Sequence, residues 1–332
     1  MIYISSSDWQ ISKNYLIALV LATVCFSPTP ILAQNYPSKP ITIIVPFVAG
    51  GSTDVTARAI GQKLSSQLGK PVVVENRAGG GSTIGVAHAA KSLADGHTIL
   101  LTTISLAINA GLRSKLSYDT LNDLQPVIQI SSLPLVLVIN SSLPPKTIQD
   151  FITYAKENTG KLNYASSGSG TSPHLAGEMF KTITNIQMTH IPYKGNAPVL
   201  NDLLAGQVEV HFGLLPGMLP HIKSGKLRAL AVTTKNRVSS LPDIPTISEI
   251  GYPNYEINSW QGLFVPANTP SEIINKLNEV VNRILSDPEF RGVLAKEGSD
   301  PVGGTIAQFS SHVSSEVQKW AKVVKDSGAQ AD

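Results

Sequence analysis

Ile41-Thr42-Ile43-Ile44-Val45-Pro46-Phe47-Val48-Ala49-Gly50-Gly51-Ser52-Thr53-Asp54 carries the chain from a strand through a glycine turn into a helix. Ile41 to Val45 is a β-branched, apolar run, the pattern of a buried strand. From Val55 to Leu68 apolar residues recur at 55, 59, 60, 64 and 68, one face of a helix, and Gly69 ends it. The same unit then repeats. Val72 to Val74 reads as a second strand, Gly79 to Gly81 as a second glycine turn, and Ile84 to Leu93 as a second helix. Asp95-Gly96 turns into a third strand, Thr98 to Leu101. Strands alternating with helices over short links predict a parallel sheet with helices on both faces.

The rhythm restarts further along. Leu135 to Ile139 reads as a strand, Pro144-Pro145 breaks the chain, and Thr147 caps a helix running to about Asn158. Lys161 to Ala165 is a strand that ends in a serine-glycine loop, and a helix follows Pro173. Further strands fall at 188–191, 208–212 and 227–232, with helices near 197–205 and 216–223. A proline-rich link, Leu241 to Pro253, precedes a strand near 262–265 and helices at about 271–286 and 305–325, the last led in by Gly303-Gly304-Thr305. Two α/β lobes follow from this layout: 34–135 with 241–332, and 136–240. A ligand crevice is expected outside the carboxyl ends of the parallel strands, with hinge closure across it.

Two loops occupy equivalent places in the two halves. The first is Phe47 to Asp54; the second is Ser166-Ser167-Gly168-Ser169-Gly170-Thr171-Ser172-Pro173-His174. Each puts small side chains and backbone N–H groups at a helix N-terminus, where the helix dipole favours negative charge. Two readings stand side by side. One is plain capping, because such junctions commonly need Gly and an N-cap Ser, Thr or Asp. The other is a clamp for a carboxylate between the lobes. Asp54 has the same pair of roles: capping the helix, or fixing the loop that holds the ligand. Tyr193, in Pro192-Tyr-Lys-Gly195, and Trp260 are candidates to line the cleft, with core packing the competing role for Trp260.

Other chemistries are poorly served. No Gly-Lys-Ser/Thr phosphate loop, G-x-G-x-x-G dinucleotide turn or G-x-S-x-G elbow occurs. His88 and His97 are nine apart and His190 and His211 twenty-one apart, neither a metal spacing, so core or solvated histidines are expected and no metal or cofactor. No acid, base or nucleophile set stands beside either loop. In 332 residues, 42% are hydrophobic and only 15% charged, where about 25% is usual; a large core is expected. The net charge of +3 comes without a basic cluster, which argues against a nucleic-acid partner.

At the N-terminus, Lys13 precedes an apolar run, Tyr15 to Phe26, and Ser27-Pro28-Thr29-Pro30-Ile31-Leu32-Ala33 follows. That is the form of a secretory signal, 1–33, cleaved after Ala33. Its loss removes Cys25, the one cysteine, and leaves a thiol-free chain suited to an oxidising compartment. Periplasmic localisation is expected.

Several short stretches, in order along the whole mature chain, resemble the Bug family, the extracytoplasmic solute receptors of tripartite tricarboxylate transporters. They are Tyr36-Pro-Ser-Lys-Pro40, Val45-Pro46, Gly50-Gly-Ser-Thr-Asp54, Val74-Glu-Asn-Arg77, Leu162-Asn-Tyr-Ala-Ser166, His174-Leu-Ala-Gly-Glu178, Ile191-Pro-Tyr-Lys-Gly195, Leu219-Pro-His-Ile222, Leu227-Arg-Ala-Leu-Ala-Val232 and Pro301-Val-Gly-Gly304. The resemblance implies a two-lobed periplasmic binding protein of type II-like α/β fold, without catalysis, that captures a carboxylate through backbone amides and bridging waters. It also implies transporter membrane subunits as partners; a monomer is expected. The ligand-binding residues expected are Phe47, Gly51, Ser52, Thr53 and Asp54 from the first loop and Ser167, Ser169, Gly170 and Thr171 from the second. Tyr193, Asn196 and Gly213 complete them. Two positions depart from the family pattern: Val48-Ala49 stands where proline usually precedes the paired glycines, and Gly213-Leu214-Leu215 where an acidic residue is common. Both make the cleft more apolar or less rigid. The competing functions are an enzyme on a two-domain α/β scaffold acting on an anionic substrate, and a partner that presents a ligand to a membrane sensor.

Overall fold

In the computed structural model, which describes residues 36–331, β1 (Ile41–Val45) lies between two parallel neighbours, β2 (Val72–Asn76) and β3 (Thr98–Thr103). The expected signal segment, 1–33, lies outside the described residues. Helix α1 (Ser52–Leu68) returns the chain from β1 to β2 and stops at Gly69, whose φ of 68° is the left-handed conformation that glycine adopts freely. The second glycine turn is a single 3₁₀ turn, Gly80–Ser82, running into α2 (Thr83–Ala90). A short helix not expected from the sequence, α3 (Ser105–Leu112), follows β3.

The strand expected at 135–139 is the second half of a much longer one, β4 (Leu124–Asn140, 17 residues). Its first half pairs antiparallel with β9 (Asn258–Pro266), up to Pro134 opposite Asn258. From Leu135 it pairs instead with β7 (Val210–Leu214) and β8 (Leu227–Val232). Proline has no N–H to give a ladder, and Pro134 sits where β4 leaves one partner for the others. Register shifts near Pro126 and between Gln129 and Ser131 absorb the other irregular residues of this strand.

The strand order is β2-β1-β3-β9-β4-β7-β5-β6, with β8 and the two-residue β10 (Asp300–Pro301) also on β4. In the first lobe β1 to β4 all run one way and β9 runs against them. In the second, β5 (Asn163–Ser166), β6 (Thr189–Pro192), β7 and β8 run together against β4. Each lobe is thus a mainly parallel sheet, and the helices cover its faces.

In the second lobe these are α4 (Ile148–Glu157), α5 (Ser172–Thr184), α6 (Asn196–Ala205) and α7 (Leu215–Lys223). Thr147 Oγ1 accepts from the Asp150 N–H, and the Asp150 carboxylate accepts from the Thr147 N–H in return, as the place of Thr147 before the apolar run predicted. Helices α8 (Ser271–Leu285), α9 (Pro288–Lys296) and α10 (Ile306–Ser327) close the chain. Trp260 is core, not cleft: it is 1% exposed, packs on Phe264 and Phe309, and donates its indole N–H to Glu316.

The two passages between the lobes are stitched to each other. Thr233 N–H donates to Leu135 O at 3.0 Å, and Ile257 N–H donates to Thr233 O at 2.9 Å. The fully buried Thr233 hydroxyl lies 2.7 Å from Ile257 O and 3.1 Å from Leu135 O. The chain between them hydrogen-bonds back to β8, through Val232 to Pro245 and Ile247 to Val232.

Candidate functional site

The first loop ends at the N-terminus of α1, whose N-cap, Gly51, offers no side chain. The amides of Gly51, Ser52, Thr53 and Asp54 have no backbone or side-chain acceptor among the described residues, as the first turn of a helix dictates. The loop's shape is set by Asp54. One carboxylate oxygen accepts from Gly50 N–H at 2.9 Å and Arg58 Nε at 3.0 Å; the other accepts from Asn76 Nδ2 at 2.9 Å. Asn76 also donates to Phe47 O at 3.2 Å, so β2 ties both ends of the loop. Burial of Asp54 (3% exposed) works against its charge. The bonds from Arg58, Gly50 and Asn76 outweigh that and hold the carboxyl below its ordinary range. Of the two roles open to Asp54 in the sequence, the bonds it makes are those of a loop brace.

The second loop, between β5 and α5, is braced from within. Gly168 and Gly170 have φ of 131° and 83°, conformations that L side chains rarely adopt. Ser166 Oγ accepts from Gly168 N–H at 3.2 Å and lies 2.6 Å from His190 Nε2. Thr171 Oγ donates to Gly168 O at 2.6 Å, and Gly170 N–H donates to His174 Nδ1 at 3.2 Å. In that bond His174 Nδ1 is the acceptor. The His174 and His190 rings stack with centroids 4.0 Å apart, and Tyr164 stacks on the far side of His190 at 4.9 Å. His211 Nδ1 lies 2.9 Å from Ala165 O, and complete burial pushes its pKa down to about 4. Their spacing in the chain gave no sign that His174 and His190 meet under this loop.

The loops of the two lobes approach one another. Built on Gly195, a Cβ would lie 3.9 Å from Val48 of the first loop; on Gly168, 3.4 Å from Tyr193 O. The second loop and the Tyr193–Asn196 turn are therefore neighbours, and the first loop faces that turn. Tyr193 donates its hydroxyl to Asp202 at 2.7 Å; burial, then that hydrogen bond and the Asp202 charge, push its pKa up to about 12. Asn196 opens α6 at the surface. Gly213 is within β7, opposite Val136, and has no room for a side chain: a Cβ would meet Met218 at 2.6 Å and His211 at 2.8 Å.

A third wall was not foreseen from the sequence. Gly79, Gly80, Gly81 and Ser82 all have positive φ, an uncommon run. It is pinned by Asn109 of α3, whose Nδ2 donates to Gly81 O at 2.7 Å and whose Oδ1 accepts from Arg113 Nε at 2.9 Å. A Cβ on Gly81 would fall 2.5 Å from Ser169 O, and one on Gly170 2.6 Å from Asn109 Oδ1. The lobes thus touch backbone to backbone at this edge. Among the described residues no group of acidic, histidine or cysteine side chains is arranged to hold a metal.

Two lobes joined by paired crossings, with helix N-termini and glycine loops where they meet, are the arrangement of a solute receptor. A sequence profile described as the tripartite tricarboxylate transporter family receptor matches residues 56–329. Protein BugT of Bordetella pertussis (strain Tohama I) is 39% identical over 316 residues, covering 95% of this chain and 97% of that one. The solved periplasmic binding protein BugD superposes with a TM-score of 0.82 at 33% identity, over 90% of this chain and 100% of that one. Rpa4515 of R. palustris, solved with adipate, gives a TM-score of 0.83 at 37% identity, with the same two coverages. The chain belongs to the tripartite tricarboxylate transporter receptor family, as the Bug-like stretches implied, and its relatives are receptors rather than enzymes.

Proposed function

We propose that the protein captures a small aliphatic dicarboxylate and hands it to the membrane subunits of a tripartite transporter. One ligand carboxylate sits between Gly51–Asp54 and Ser167–Thr171. The observation that carries this reading is the row of four amides, Gly51 to Asp54, without acceptors among the described residues, at the end of a braced loop that faces the other lobe. A carboxylate has about four acceptor directions, which amides and hydroxyls from two helix N-termini can fill. Neither loop contains Lys or Arg. Fixed amides discriminate by geometry, where a lone cation would hold many anions alike. Tyr193, Asn196 and Gly213 then meet the rest of the ligand, and Phe47 backs the first loop. The adipate complex of the 37% identical Rpa4515 supports a dicarboxylate in particular.

The lobes, 34–135 with 241–332 and 136–240, are the bodies that close on the ligand, bending where Leu135, Thr233 and Ile257 are stitched together. The receptor works as an exported monomer in the periplasm, its leader removed after Ala33. Thermal unfolding with succinate, malate, adipate and citrate tests the ligand class. A ligand at a hundred times its Kd should stabilise by about 2.7 kcal/mol. No shift with any carboxylate, alongside a shift with a neutral or cationic solute, would replace this reading.

A further inference from the structure

Gln261 stands in the middle of β9, in the run Trp260-Gln261-Gly262-Leu263-Phe264-Val265, and is 1% exposed. Its register partners are Thr103 on β3 and Ser131 on β4. A carboxamide here displaces an apolar side chain from a buried sheet, and burying one without full pairing is costly. Its Oε1 and the Ser131 hydroxyl both lack partners among the described residues. Its Nε2 donates to Ser52 Oγ at 3.3 Å, across 209 residues of sequence, into the first turn of α1. The amide is therefore poorly matched to the sheet, and what it does make is a contact with the anion loop.

Ser52 is half-buried and carries one of the four amides without acceptors. A hydroxyl that accepts from an amide below keeps its own hydrogen for another direction. We propose that Gln261 is a positioning residue for the receptor's selectivity. By occupying Ser52 Oγ as a donor, it turns the Ser52 hydroxyl hydrogen towards the ligand, so that the hydroxyl and the amides of the first loop all present donors. Such a cradle matches an ionised carboxylate, which only accepts, and repels ammonium or amide N–H groups. The inference rests on the carboxylate reading and names the part of the chain, outside both loops, that enforces it. The reverse amide orientation would make Ser52 an acceptor towards the ligand, and the preference would run the other way.

The test is a double-mutant cycle on the full mature chain, with adipate as the probe and affinity read by calorimetry. Gln261→Met keeps the volume and removes the donor. It should weaken adipate binding by roughly threefold to tenfold, the worth of one hydrogen bond. Gln261→Glu takes the Ser52 hydrogen for itself and adds charge, and should weaken it further, by roughly tenfold to a hundredfold. In a Ser52→Ala background, Gln261→Met should change the affinity by less than about twofold, because its target is gone. Equal losses in both backgrounds would make Gln261 a packing residue and overturn the proposal, as would tighter binding in either Gln261 variant. Wild-type protein that ignores adipate but binds a solute without a carboxylate would instead overturn the functional reading.

Discussion

Replacing Asp54 by Asn changes one atom in the brace of the first loop. The carboxylate receives three donors: Gly50 N–H, Arg58 Nε and Asn76 Nδ2. An amide has one oxygen, so its NH2 must face at least one of those donors. Hydrogen bonds to a charged group contribute about 1.5–3 kcal/mol each. The Arg58 pair counts for little of this because Arg58 is 55% exposed and water screens it. The expected loss is about 1.5–3 kcal/mol, one mismatched buried bond. At a urea dependence of about 3 kcal/mol/M, the unfolding midpoint should fall by roughly 0.5–1 M. Affinity should fall too, because Gly50 would no longer fix the amides that follow it. The folded pKa of Asp54 lies below its ordinary 3.8. Its contribution is therefore complete above that unfolded value and is lost as pH falls through the folded one. Wild type should lose stability on acidification below about pH 4 more steeply than Asp54→Asn. Identical urea midpoints and identical acid profiles for the two proteins would refute the assignment of Asp54 as the loop's brace.

Thr53→Val and Ser169→Leu should each weaken binding of the best carboxylate by about tenfold to a hundredfold, measured by calorimetry; unchanged affinity in both would return the loops to ordinary capping. Gly170→Ala should destabilise by about 1–3 kcal/mol in urea unfolding, because φ is 83° and the new methyl would sit 2.6 Å from an Asn109 oxygen that Gly81 and Arg113 hold in place. Intact mass of the exported protein should begin at Gln34; a mature form that still starts at Met1 would contradict the processing proposed.

Local pattern determined much of this protein. Strand and helix alternate with apolar spacing that a single window can read, and caps such as Thr147 and Gly69 act within a few residues of themselves. The two serine-glycine loops were visible for the same reason: a strand-to-helix turn needs small residues locally, whatever it later binds. Where local signal was absent or contradictory, the elements were missed. Helix α3 is buried nearly all round, so it has no polar face to mark a period. The first half of β4 carries Pro126, Pro134, Ser131 and Ser132, which break the strand pattern that pairing with β9 then imposes. Helix α9 carries a short local signal, the Asp287 cap ahead of Pro288.

The site's supports belong to the tertiary structure alone. Asn76 braces a loop 22 residues away, Gln261 reaches Ser52 over 209, and His174 meets His190 face to face under the second loop. Their roles come from side chains that folding brings beside them, the Asp54 carboxylate, the Ser52 hydroxyl and the His190 ring, and no spacing along the chain encodes those meetings. Sequence marked where the two loops fall; packing decided which atoms hold them in shape.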